Sequence, residues 1–262
     1  MIETTDRFSV VIPVYNGGAF IAKAIESCLQ QTVLPNEIIV IDDASDDDTA
    51  RIVHAFNSPS IKYERNNENR GPSFSRNRGM QLAVCPWIFF LDADDIFHPR
   101  KIEIISYCIS QNNTIHAIGH SFNIEGKVSL RDTDKLFTSK MKVKRFSADD
   151  VLLKNPMVTP SLAVHIQNGI WFNEQMEFAE DHDFILRTAE KFGIWYLDMP
   201  LCSLHRLPLT PGGISDNRWK MRKGEMKMYI DYCKRNRLYP AIPFFLVFSL
   251  LKHVKNILFL RN

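Results

Sequence analysis

The feature that most constrains the fold is a short apolar run, Trp87–Leu91, that ends abruptly in Asp92, Asp94 and Asp95. Its length and composition predict one buried strand of a parallel sheet. In open α/β sheets, ligands bind in the crevice beyond the carboxyl ends of the strands, where these acids would lie. Carboxylates crowded together repel one another unless a cation joins them, and such oxygen ligands suit Mg²⁺ or Mn²⁺. The run therefore predicts a metal that holds a phosphorylated ligand.

Residues 8–95 alternate between predicted strands and predicted helices. The further strands are at Ser9–Ile12, Glu37–Ile41 and Ile61–Tyr63. This β-α-β-α-β-α-β succession predicts an α/β protein with a Rossmann-like, mostly parallel central sheet and helices on both faces. A capping box of Ser45 and Asp48 predicts the start of the second helix, and a third helix is expected around residues 75–84.

Asp42 and Asp43 end the second strand and would lie at the same sheet edge as the other acids. The alternative interpretation is that they cap the following helix or fix a turn. Beyond Arg100, helices are predicted at Lys101–Ser110 and Glu180–Phe192 and a strand at Ile115–Phe122. Residues 125–147 are polar, basic and irregular, which predicts a mobile loop over a site.

Asp181 lies in the first turn of the helix at residues 180–192, on its inward side. Two interpretations stay open: a structural acid stabilised by the helix dipole, or a general base held against a cleft. Within this helix Asp183 and Arg187 are spaced to pair, and Gly193 is expected to end the helix.

Charge divides the chain unequally. Residues 217–262 hold eleven Lys or Arg and two Asp or Glu, a balance of +9, whereas residues 1–216 hold 21 bases and 28 acids, a balance of −7. The tail also contains the apolar run Pro243–Leu251, which is too short to span a bilayer. A basic helix rich in Phe and Leu predicts contact with an anionic lipid surface rather than with nucleic acid. The alternative is a helix packed on the body with solvated lysines.

The five cysteines are odd in number and widely spaced, and no Cys-x-x-Cys occurs. This argues against a disulfide framework or a zinc site and favours a reducing compartment. The N-terminus is acidic and leads directly into a strand, so no signal peptide is expected.

Five short motifs follow one another in a specific order. They are Val10–Asn16, Ile41–Thr49, Ser75–Gly79, Phe90–Asp95 and Ala179–Asp181. Over roughly residues 8–206 this order resembles family 2 glycosyltransferases of the bacterial surface-polysaccharide or lipopolysaccharide type. The resemblance implies a GT-A catalytic domain at 1–216, with a nucleotide-sugar-binding half at 1–100 and an acceptor-binding half at 101–216. A basic amphipathic helical tail at 217–262 would follow.

The resemblance also implies a role for each matching position. Nucleotide contacts are expected from Pro13, Tyr15, Asp42, Asp43, Arg76 and Asp92; metal binding from Asp94 and Asp95; and the catalytic base from Asp181. His205 precedes Arg206 where many members carry an aromatic residue, with Ser215 downstream. Three roles stay open for His205: a metal ligand, a diphosphate contact or a loop histidine.

The implied activity is inverting, metal-assisted transfer of a sugar from a nucleotide-sugar, a UDP-sugar, to a glycan or lipid-linked acceptor. One base and no carboxylate nucleophile imply a single displacement. The expected location is cytoplasmic, peripheral on the inner face of the cell membrane, with Mn²⁺ or Mg²⁺ as cofactor. The alternatives are a sugar-nucleotidyltransferase and a catalytically silent sugar-nucleotide-binding protein. The acids at 92, 94, 95 and 181 disfavour the silent protein.

Overall fold

A mixed nine-stranded sheet organises the part of the chain that the computed structural model describes, residues 7–124, 141–206 and 217–259. Its strands are β1 (Phe8–Val14), β2 (Glu37–Asp42), β3 (Ile61–Arg65), β4 (Trp87–Phe90), β5 (Ile96–Phe97), β6 (Ala117–Ile124), β7 (Val143–Phe146), β8 (Ala163–His165) and β9 (Ile194–Leu204). The helices are α1 (Ile21–Leu29), α2 (Thr49–Ala55), α3 (Gly71–Leu82), α4 (Lys101–Ser110), α5 (Ala148–Leu152), α6 (Glu180–Phe192), α7 (Arg218–Arg235) and α8 (Ile242–Phe259).

The first four strands form a parallel half of the sheet, as the sequence predicts, and the structure gives their order as β3-β2-β1-β4. β4 then pairs antiparallel with β8, and β8 pairs antiparallel with β6. β9 runs parallel to β6 and also pairs antiparallel with both β5 and β7. The long strand β9 therefore returns the chain to the edge at which β4 ends.

Each face of the sheet is covered, which explains why the parallel strands are apolar throughout. Along β1, Val10 and Ile12 belong to the core cluster beneath α1 and α4, whereas Val11 packs with residues of α3, α6 and α7 on the opposite face. All three are fully buried. Side chains of successive strand residues point to opposite faces, so one apolar strand serves two cores.

Three local predictions are wrong. β7 forms inside the stretch expected to be a mobile loop, because it gains its partners from β9; residues 125–140 of that stretch lie outside the described residues. α3 begins at Gly71, earlier than expected. The Ser45 capping box is absent: the Ser45 hydroxyl accepts a hydrogen bond from Asn16 N at 2.9 Å, and Asp47 accepts one from Thr49 N at 3.0 Å.

The tail helices pack against the body through their inner faces. α7 lies against the segment that precedes α6, and α8 is held to α7 by Glu225, which accepts hydrogen bonds from Ser249 Oγ at 2.6 Å and from Lys252. Phe245 stacks on Tyr229 with ring centroids 5.1 Å apart. Among the described helices, none combines the length and apolar content needed to cross a bilayer.

Candidate active site

The acids singled out by the sequence lie at the carboxyl ends of β2 and β4, which are parallel strands on either side of β1. β9 brings two further residues to the same edge. The backbone N–H of His205 donates to Asp95 Oδ1 at 2.9 Å, and Arg206 Nε lies 3.7 Å from Asp94 Oδ2. The His205 ring packs against Phe20, with centroids 4.7 Å apart. The structure thus joins the Asp94–Asp95 pair to the end of β9.

Negative charge accumulates in the turn after β4. Asp95 is buried, and Asp92 and Asp94 are half-buried. Burial, together with the charges of Asp92 and Asp94, raises the pKa of Asp95 to about 8. Burial and Asp92 also raise the pKa of Asp94. A cation among these carboxylates would favour their ionised forms.

Arg76 links this turn to the start of α6. It is buried on α3, where Nη2 donates to Asp92 Oδ1 at 2.8 Å and Nη1 donates to Glu180 Oε1 at 3.0 Å. Burial opposes its charge, but Asp92 and Glu180 outweigh burial and raise the pKa of Arg76 above its usual value. The guanidinium carbon lies 5.3 Å from the centroid of the Phe172 ring.

Glu180 and Asp181 occupy different environments although they are neighbours in sequence. Burial and the charge of Asp181 raise the pKa of Glu180 to about 7. Asp181 is half-buried, and its Oδ1 accepts a hydrogen bond from His182 N at 2.7 Å. Ala179, just before them, has a left-handed backbone (φ +58°), a conformation that costs energy for a residue with a Cβ. Such strain is common at functional sites.

Asp42 and Asp43 both have structural partners. Asp42 Oδ1 accepts a hydrogen bond from Ser45 N at 2.7 Å, and its Oδ2 accepts one from Tyr63. Asp43 accepts hydrogen bonds from Asn66 Nδ2 at 2.6 Å and from Gly71 N at 2.7 Å. Asp42 therefore fixes the turn after β2, one of the alternatives to nucleotide binding. Asp43 holds the start of α3 and not, as the other alternative had it, the start of the helix that follows β2.

The loop after β1 contributes Tyr15, whose side chain is 53% exposed, whereas Pro13 is buried within β1 beside Ile41. Asn16 follows in a left-handed conformation (φ +50°), and its Oδ1 accepts a hydrogen bond from Asp46 N at 2.9 Å. The loops after β1 and β2 therefore hold each other in place.

The sequence does not identify two residues that contribute to the site, Glu180 and Lys101. Glu180 lies within the motif Ala179–Asp181, but its bond to Arg76 joins residues 104 positions apart, which no local pattern predicts. Lys101 is fully buried. Its Nζ donates a hydrogen bond to the Pro160 carbonyl and lies 3.6 Å from the centroid of the Phe97 ring. Burial lowers the pKa of Lys101 to about 7, and Asp95 is among the charges that act on it. Its spacing from the apolar residues of α4 could have indicated that it faces inward.

Within the described residues, no three or more His, Cys, Asp or Glu side chains form a preformed metal cluster. The chemistry of the donor set nevertheless fits Mg²⁺ or Mn²⁺, since one or two carboxylates plus substrate phosphates are a common way to hold such ions. Ser215, the last residue of the predicted constellation, lies outside the described residues.

Sequence relatives include proteins of bacterial origin. An uncharacterized glycosyltransferase of Haemophilus influenzae is 29% identical over 206 residues, which cover 75% of this chain and 68% of that protein. An uncharacterized glycosyltransferase of Rickettsia conorii is 33% identical over 198 residues, which cover 74% of this chain. The chain spans 32% of the length of this second relative.

Solved structures share the fold. S. aureus TarS 1–349 in complex with UDP-GlcNAc has a TM-score of 0.68 at 19% identity, covering 87% of this chain and 66% of that one. The mannosyltransferase PcManGT from Pyrobaculum calidifontis, in complex with GDP-Man and Mn²⁺, has a TM-score of 0.63 at 16% identity, covering 97% and 76%. The family model described as Glycosyl transferase family 2 matches residues 9–168, more than half of the chain. The chain therefore belongs to glycosyl transferase family 2 and has the GT-A fold.

Proposed function

We propose that this protein is an inverting glycosyltransferase that moves a sugar from a UDP-sugar to a glycan or lipid-linked acceptor in cell-surface polysaccharide or lipopolysaccharide synthesis. The observation that carries the proposal is the link from Asp92 through Arg76 to Glu180, the residue directly before Asp181. It fixes the acidic turn, which is suited to a nucleotide diphosphate, beside the start of α6, which carries the carboxylate proposed to take a proton. UDP-GlcNAc in the TarS complex supports a uridine nucleotide.

The nucleotide end of the site is assigned to residues 1–100. Tyr15 is exposed enough to lie along the base, with Pro13 shaping the strand behind it. Asp42 and Asp43 are proposed to form a rigid wall beside the base. Their oxygens already accept hydrogen bonds from the turn after β2 and from the start of α3, which hold both side chains in place. Asp92 is proposed to contact the ribose, oriented by Arg76.

Asp94 and Asp95 are proposed to hold Mn²⁺ or Mg²⁺, with His205 as a third candidate because its backbone is bonded to Asp95. PcManGT with bound Mn²⁺ supports a divalent ion at such a site. The ion would stabilise the negative charge of the nucleotide diphosphate as it leaves.

Asp181 is proposed as the general base. Glu180 and Asp181 are both half-buried, but the Glu180 carboxylate is bonded to Arg76, whereas Asp181 accepts its hydrogen bond from the backbone N–H of His182 and keeps capacity to accept one from an incoming hydroxyl. Its carboxylate accepts the proton of the acceptor hydroxyl as that oxygen forms the new glycosidic bond and the nucleotide diphosphate leaves. One displacement without a carboxylate nucleophile inverts the anomeric centre.

The acceptor-binding half is assigned to residues 101–216, and the tail at 217–262 is proposed to bring the enzyme to the inner face of the cell membrane. A lipid-linked acceptor would be presented there. No nucleic-acid partner is proposed, since the basic tail is also apolar.

The main alternative, a sugar-nucleotidyltransferase, would release pyrophosphate instead of a nucleoside diphosphate. A catalytically silent sugar-nucleotide-binding protein would form neither product. Analysis of the products from UDP-sugar and acceptor mixtures separates all three.

The substitution Asp181→Asn tests the base assignment. Because the amide cannot accept the proton, transfer is expected to fall about 10²- to 10⁴-fold, while UDP affinity stays within a factor of about two. Steady-state kinetics and calorimetric titration with UDP measure the two effects. Asp198→Asn, at an exposed carboxylate on β9, is the control and is expected to keep full activity. Retention of wild-type transfer by Asp181→Asn would overturn the assignment.

A further inference from the structure

The outer face of α8 is apolar although the helix lies on the protein surface. Phe244 and Leu251 are each 63% exposed, and three more apolar residues extend the same face: Val247, Leu250 and Val254. Their spacing places them on one side of the helix, along about 15 Å of its axis. A helix that is only packed against a body would carry polar residues there.

The inner face of α8 is already used. Phe245 and Ser249 are buried against α7, and Lys252 is bonded to Glu225. The outer residues therefore cannot be the packing surface of this helix. A contiguous apolar patch of this kind on a protein surface marks a contact site.

Positive charge borders the apolar face at both of its ends. Next to the start of α8, Lys234 and Arg237 are exposed beside the exposed side chains of Leu238 and Tyr239. Next to its far end, Lys223 Nζ lies 5.7 Å from the centroid of the exposed Trp219 ring.

Trp219 itself lies 5.3 Å from the ring of His253, which connects it to α8. The sequence of α8 contains no Asp or Glu, and Glu225 is occupied inside the helix pair.

We propose that this face, formed by the outer residues of α8 with Trp219, Leu238 and Tyr239, docks on the surface of an anionic lipid bilayer. Phe, Leu, Trp and Tyr side chains would enter the headgroup boundary, and the flanking Lys and Arg would contact anionic headgroups. A second copy of this chain fits less well, because two such cationic rims would face each other. This docking surface rests on the proposed function at the membrane face, and vesicle binding can be measured with neither donor nor acceptor.

The test is binding of the full chain to lipid vesicles. Vesicles of phosphatidylcholine alone are compared with vesicles in which about a third of the lipid is phosphatidylglycerol. The wild-type protein is expected to co-sediment with the anionic vesicles and to be released by salt. The double substitution Phe244→Gln and Leu251→Gln is expected to weaken binding at least about tenfold, because two exposed side chains lose their apolar contact with lipid.

Leu34→Gln is the matched control, since Leu34 is 61% exposed on the body and lies far from the tail in sequence. It is expected to bind like wild type. Lys234→Glu with Arg237→Glu should also weaken binding, to anionic vesicles only.

Wild-type protein that does not bind anionic vesicles would overturn the proposal. So would a double variant that binds like wild type. A dimer in light scattering that the double variant dissociates would assign the face to a second copy instead. UDP titration of each variant separates these outcomes from failure of the donor site.

Discussion

Asp95 is a carboxylate held where ionisation is unfavourable. Burial and the charges of Asp92 and Asp94 raise its pKa to about 8, from an ordinary value of 3.8. Between these two values the folded protein holds a proton that the unfolded chain has released. The free energy of unfolding therefore falls as pH rises through this window, and the loss is complete above pH 8. Glu180, whose pKa is raised to about 7, acts in the same direction.

The substitution Asp95→Asn should flatten this dependence. Without metal, the variant is expected to lose much of the fall in the free energy of unfolding between about pH 5 and pH 9, because no charge forms at this position. An Asn oxygen can still accept the His205 N–H. Urea unfolding across this pH range measures the effect, with Asp198→Asn as the control. A variant whose pH profile matches wild type would show that Asp95 is not the titrating group.

The sequence supports the prediction that the acids gather, because the ends of parallel strands meet at one edge of the sheet. It does not predict that Arg76 bonds to both Asp92 and Glu180. That bridge depends on how closely α3 packs against the start of α6, which is a tertiary distance that no local pattern encodes. The sequence does not predict the hydrogen-bond partners of Asp43 for the same reason, since they come from the loop before α3 and from its first residue.

Helix α7 holds the segment that leads into Glu180 and Asp181. A Cβ on Gly224 would lie 2.3 Å from the carbonyl oxygen of Phe178, so the backbones approach as closely as glycine allows. Lys227 Nζ donates to the Gln175 carbonyl at 2.9 Å in the same segment. The left-handed Ala179 follows directly. The tail thus contributes to the position of the proposed base.

The substitution Gly224→Ala separates this role from ordinary helix propensity. In an unconstrained helix, alanine would stabilise the protein by about 1 kcal/mol. Here we expect lower stability and a kcat reduced by about 100-fold, because the shifted segment misplaces Asp181. The affinity for UDP should stay unchanged. Thermal unfolding, kinetics and UDP titration measure these effects, and a variant that is more stable and fully active would contradict the account.

Among the elements, α4 and α6 have the bounds that the sequence predicts, since strong apolar periodicity and Gly193 define them locally. The sequence does not predict β7, because its four residues form a strand only through pairing with β9. The predicted capping box is wrong because the Ser45 hydroxyl bonds to the loop after β1 and not to the start of α2. The local predictions for β7 and for Ser45 are therefore wrong at positions where residues distant in sequence determine the local structure.

At the scale of the whole molecule, charge separates an acidic body from a basic tail. An anionic nucleotide diphosphate is repelled by the acidic turn after β4 unless a cation binds with it. The basic tail is proposed to contact anionic surfaces instead. The alternating pattern predicts the parallel half of the sheet. It does not predict the order β8-β6-β9-β5, because these pairings join strands far apart in sequence and no local pattern encodes them.

The most direct measurement of the central claim is thermal unfolding of the full chain with a panel of nucleotide-sugars, in Mn²⁺ and in chelator. We predict that at least one UDP-sugar raises the midpoint in Mn²⁺, with about 2.7 kcal/mol of stabilisation at a hundredfold excess over its Kd, and much less in chelator. Stabilisation by nucleoside triphosphates alone, or by no nucleotide-sugar, would contradict a metal-assisted nucleotide-sugar site at Asp92, Asp94 and Asp95.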